Sequence, residues 1–131
     1  MAYEIANNAV KVSMPAGADL SAKQYYFVKL NSSAQVVLCA AATDIPFGVL
    51  QNTPTSGQPA EVVVVGGTKL VCGAAIATAV VIGTDSAGKA DAKTAGTDTT
   101  EYAVGLVILA SAADGDVATA VINCASPNRA A

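Results

Sequence analysis

From Gln24 onward the sequence is a succession of short β-branched and aromatic runs, each closed by residues that turn the chain. Tyr25–Leu30, Gln35–Cys39, Phe47–Gln51, Glu61–Val65, Lys69–Cys72, Ala79–Ile82, Lys89–Ala92, Tyr102–Leu109 and Val117–Asn123 read as strands. Between them, Asn31-Ser32-Ser33, Pro54-Thr55-Ser56-Gly57, Gly66-Gly67, Asp85-Ser86-Ala87-Gly88 and Asp114-Gly115 supply positive φ or side chains that bond nearby backbone. The Ala-rich stretch Gly73–Val80 has room for one turn of helix and no more. This cadence predicts an all-β sandwich or barrel with at most one short helix.

The runs also recur in order. Gly48-Val49-Leu50 leads through a turn to Glu61–Val65, as Gly105-Leu106-Val107 leads through Asp114-Gly115 to Val117–Ile122. Upstream, Phe27–Gln35 matches Val81–Lys89 as strand, small polar turn and strand. Two β units, about 24–66 and 79–124, are each too small to bury a core alone and are expected to pack as one body. Chance likeness among Val/Ala/Gly-rich strands is the alternative.

Residues 1–23 carry no strong pattern, and Pro15 and Gly17 interrupt them. They read as an extended arm with a short strand at Ala9–Val12, able to add a strand to a neighbour's sheet edge. Tyr3, Ile5, Val10 and Val12 on this arm are candidate partner contacts. In Tyr25-Tyr26-Phe27, alternation puts Tyr26 on the face opposite its neighbours. Packing within the chain is the first reading of this cluster; contact of Tyr26 with a partner is the second. The tail, residues 126–131, is expected to be flexible.

Composition narrows the function. In 131 residues, 53% are hydrophobic and only 13% charged, so some weakly polar surface is expected to be buried against a partner. Seven basic against ten acidic residues, scattered along the chain, do not make a phosphate-binding surface, which argues against nucleic acid. Aromatics at 5% with no Trp argue against stacking platforms for sugars or bases. There is no His, which removes Ser-His-Asp and Cys-His catalysis and His-ligated zinc. Cys39, Cys72 and Cys124 are far apart and form no CxxC pair. Cys39 and Cys72 lie in apolar contexts and read as buried free thiols made in a reducing compartment; a disulfide between two of the three is the alternative. No basic segment leads into an apolar stretch at the start, and Ala74–Ile82 is too short to span a membrane. The chain therefore reads as soluble and made in the cytoplasm, leaving it only inside an assembly.

Two motifs invite chemistry. Gly83-Thr84-Asp85-Ser86-Ala87-Gly88-Lys89-Ala90 nearly matches a phosphate-binding P-loop. Ala90 stands where a magnesium-ligating hydroxyl is needed, and no apolar helix follows, so a hairpin turn is the preferred reading. Asp85, Asp114 and Asp116 are too few for a calcium site and fit turns better. The sequon Asn31-Ser32-Ser33 has no meaning without secretion. No nucleophile–base pair can be placed, so catalytic, cofactor and metal residues are all assigned as none.

The order Ala40-Ala41-Ala42-Thr43-Asp44-Ile45-Pro46-Phe47-Gly48-Val49-Leu50, Glu61–Gly67, Val71-Cys72-Gly73-Ala74-Ala75-Ile76, Thr84–Ala90 and Tyr102–Gly105 through Gly115-Asp116 resembles the capsid decoration, or cement, proteins of tailed bacteriophages. The resemblance covers about residues 26–124. It implies a barrel or tulip-like β fold on the outer capsid surface, a homotrimer or else a dimer, and the major capsid protein as partner. It brings no enzymatic residues and no cofactor. Another virion protein (tail tube, tail fibre or head fibre) is the alternative. A carbohydrate- or peptide-binding module lacks the aromatic cleft it would need, and a nucleotide enzyme would depend on Gly83–Lys89.

Overall fold

The computed structural model describes residues 8–131, and among them there is no helix. The strands are β1 (Val10–Pro15), β2 (Phe27–Leu30), β3 (Val36–Leu38), β4 (Gly48–Leu50), β5 (Pro59–Val71), β6 (Val81–Thr84), β7 (Ala90–Ala92), β8 (Tyr102–Ala103), β9 (Gly105–Leu109), β10 (Val117–Asn123) and β11 (Asn128–Arg129). Nine of them form one antiparallel, strongly curled sheet ordered β3-β2-β4-β5-β10-β9-β6-β7, with β1 also paired to β5. The all-β, barrel-like expectation is therefore met. The helical turn considered for Gly73–Val80 does not form; instead Ile76 bridges Ser111, which ties the segment down as an irregular connection.

Alternation along the strands sets the core. In β5, Ala60, Val62 and Val64 point inward and are buried, as are Ala118, Ala120 and Ile122 in β10. Phe27, Val28, Leu50, Leu70, Ile82 and Val107 complete the interior.

β5 is the axis of the molecule. Its first half pairs with β4 (Val49↔Val63) and β1 (Met14↔Ala60), its second half with β10 (Leu70↔Ala118). Gly66-Gly67, expected as a turn, lies inside this continuous 13-residue strand. Gly66 has a left-handed φ of 127° where β5 passes from β1 to β10, its register with β10 runs on through Gly66 and Gly67, and the chain does not reverse.

The two halves share several hydrogen bonds at matching places. Asn31 Oδ1 accepts from the N–H groups of Ser33 and Gln35 at 3.0 and 2.9 Å; Asp85 Oδ1 accepts from Ala87 and Lys89 at 2.8 and 2.9 Å. Tyr25 N–H donates to Leu50 O and Ala79 N–H to Val107 O, both at 2.7 Å, and Tyr25 and Ala79 both have left-handed φ (67° and 69°). Parallel bridges Ala16–Val36 and Cys72–Ala90 close the two curls in the same way. Gly48 and Gly105 occupy matching places on β4 and β9, where a Cβ would run into Val63 O and Val121 O. The two parallel bridges begin at Ala16 and Cys72, just after β1 and β5.

The ends of the described chain are also engaged. Residues 10–15, read from sequence as part of an extended arm, pair with β5 of the same chain. The carbonyl of Ala16 accepts Gly57 N–H, and Leu20 is buried in the core. At the other end, β11 pairs with β8, Ala130 is buried, and Gly96 N–H donates to Ala130 O. The tail is thus held by backbone bonds that residue composition does not reveal.

Candidate interaction surface

The loop Gly83–Lys89 is the β6–β7 hairpin turn, as the sequence suggests. Its Ala87 and Lys89 amides are taken up by the Asp85 carboxylate, which fills the place an anion would need. Lys89 Nζ pairs with Asp114 Oδ1 at 2.9 Å, and Asp116 accepts from Ala112 N–H. These carboxylates close turns and neutralise a lysine. Among the described residues no three His, Cys, Asp or Glu side chains gather as metal ligands.

The three thiols form no disulfide and are buried, with Cys72 Sγ donating to Leu70 O. Burial pushes Cys39 up to about 12, with a further rise from the Asp44 carboxylate; burial and neighbouring Cys39 push Cys124 up to about 12. Such thiols are poor nucleophiles.

The partner contacts proposed from sequence lie on different elements. Tyr3 and Ile5 are outside the described residues. Val10 is half exposed at the start of β1, opposite Val65, while Val12 is half-buried against the core opposite Val62. Tyr26 lies in the entry to β2, half-buried, with Lys23 Nζ 4.9 Å from its ring centre.

A different surface is apolar and open. Val81 on β6, Leu106 on β9 and Val121 on β10 are direct cross-strand neighbours and form one row across three strands. They are 43%, 40% and 47% exposed. The row floors an open groove of about 600 Å³, rimmed by Ile108, Asn123 and Ser126. Sequence reading missed it because β9 and β10 carry apolar residues on both faces, so alternation does not mark the outer one. The signal available was Val117–Asn123, where Val121 lies out of phase with inward Ala118, Ala120 and Ile122.

The fold is that of an all-β, curled-sheet protein, and a solved structure shares it. The chain superposes on the N base of head fibre gp8.5 of bacteriophage phi29 with a TM-score of 0.64 and 18% identity, over 88% of this chain and 94% of that one. No protein-family model matches the sequence, and no curated protein sequence matches it significantly.

Proposed function

We propose that this chain is a structural component of a bacteriophage virion, the base module of a fibre or similar appendage on the head. The likeness to the phi29 head-fibre base, which extends over nearly the whole of both chains, carries the reading. The surface chemistry supports it: charges are few, turn carboxylates are engaged locally, and an open groove is floored by an apolar row suited to packing against protein. In this reading the chain works by adhesion, with the major capsid protein as its partner, and carries no catalysis.

The decoration or cement role is the second reading, favoured by the order of motifs from Ala40 to Asp116. The two differ in what they carry: a cement protein bridges major capsid subunits, whereas a fibre base holds a projecting fibre. Labelling the chain and imaging purified phage particles tests both. Label at the foot of fibres projecting from the head supports the fibre base, and label on the head surface without projecting fibres supports cement. Label absent from particles and retained in the soluble lysate overturns the virion assignment.

A further inference from the structure

The exposed row has a counterpart in the first half that is covered. Phe27, Val49 and Val63 stand in the same cross-strand relation on β2, β4 and β5 as Val81, Leu106 and Val121 do on β6, β9 and β10. The first row is 0%, 0% and 1% exposed. Parts of the second half lie beside it. Phe27 N–H donates to Gly88 O at 2.7 Å, and Gln51 Nε2 donates to Thr68 Oγ1 at 2.8 Å. Thr84, in the strand leading to the Gly88 turn, is 1% exposed.

The β6–β7 turn that bonds to Phe27 has a counterpart too, the β2–β3 turn, and it is exposed. Leu30 holds on β2 the place that Thr84 holds on β6, each one step before its Asx turn. Leu30 is 38% exposed, and Ala34, which matches Gly88 in the turn, is exposed with the same left-handed φ. Each molecule thus presents an exposed counterpart of the buried row and an exposed counterpart of the turn that bonds to it.

We infer that copies of this chain associate head to tail, the Leu30–Ala34 turn of one copy seating on the Val81–Leu106–Val121 row of the next, in the way the second half already seats on the first. The contact is heterologous, so it closes into a ring or extends as a chain according to the rotation between copies. This inference stands on the internal correspondence and does not depend on the virion assignment.

Sedimentation velocity on the full chain at tens of micromolar tests it. The unmodified chain is expected to sediment as oligomers, and Leu106→Glu and Leu30→Glu each as monomers with unchanged far-ultraviolet circular dichroism. Mixing the two variants is the decisive arm. Each keeps one intact end, so an equimolar mixture regains a species of twice the monomer mass and goes no further. An unmodified chain that stays monomeric overturns the inference. So does a mixture that stays monomeric while the unmodified chain associates, because that outcome marks a symmetric contact. If Leu106→Glu loses its circular dichroism, Val121→Lys replaces it on the same face.

Discussion

Phe27 N–H and Gly88 O, 2.7 Å apart, join a strand of the first half to a turn of the second. Gly88 is fitted to that contact: a Cβ there would stand 2.7 Å from Leu38 Cδ1 and 3.1 Å from Phe27 O, at a φ of +80°. Gly96 has nearly the same φ (+82°) with nothing near the Cβ position. Gly96→Ala is expected to cost about 1 kcal/mol from backbone strain alone, and Gly88→Ala about 2–3 kcal/mol. Urea denaturation of the pair separates crowding at the Gly88 contact from backbone strain; equal losses would show that the crowding adds no cost.

Lys93 is the one lysine whose side chain is fully buried among the ion pairs of the described residues, with Glu101 Oε1 at 2.5 Å and Asp91 Oδ2 at 3.4 Å. Glu101→Ala leaves its ammonium underpaired and is expected to cost about 3 kcal/mol, since a buried charge without its partner is far costlier than no charge. Adding Lys93→Met to that variant should recover most of the loss. Denaturation midpoints of the three proteins check the order, and a double variant weaker than Glu101→Ala would contradict it.

Asp44 sets an acid limit. Burial raises its carboxyl, but Lys29 at 2.8 Å and the Ala40 and Ala41 amides outweigh that and hold it below the ordinary carboxylate value. Its contribution is therefore complete above about pH 4 and is lost as pH falls through the lowered value. Asp44→Asn should lose about 1–2 kcal/mol at neutral pH, with the gap to the unmodified chain closing as pH falls below the ordinary carboxylate value. With no histidine in the sequence, thermal midpoints should vary little between about pH 5.5 and 8.

Thiol reagents provide a separate check on packing. At about pH 8 the folded chain should release almost no colour with a disulfide reagent, and all three cysteines should react once denaturant is added. Rapid reaction of even one thiol under native conditions would contradict the burial of Cys39, Cys72 and Cys124.

Strand positions were legible because each turn announces itself chemically. Asn31 and Asp85 cap their own turns, and the runs flanking them became β2, β3, β6 and β7. What escaped was decided by distant partners. Gly66-Gly67 is a turn signal by composition, yet its neighbours bond to β10, and that pairing keeps the strand extended. Tyr102–Leu109, read as one strand, divides at Val104, whose N–H turns to Ile82 O. The open row at Val81, Leu106 and Val121 was invisible for a related reason: a chain with so few charges has apolar residues on both sides of its strands, and only the fold decides which side is covered.

The uninterrupted β5 has a mechanical consequence. Tension applied to one half of the molecule passes to the other along a single covalent backbone clamped laterally by β1, β4 and β10, so yielding requires many hydrogen bonds to shear together. A hinge between two separately folded lobes would open under far less load.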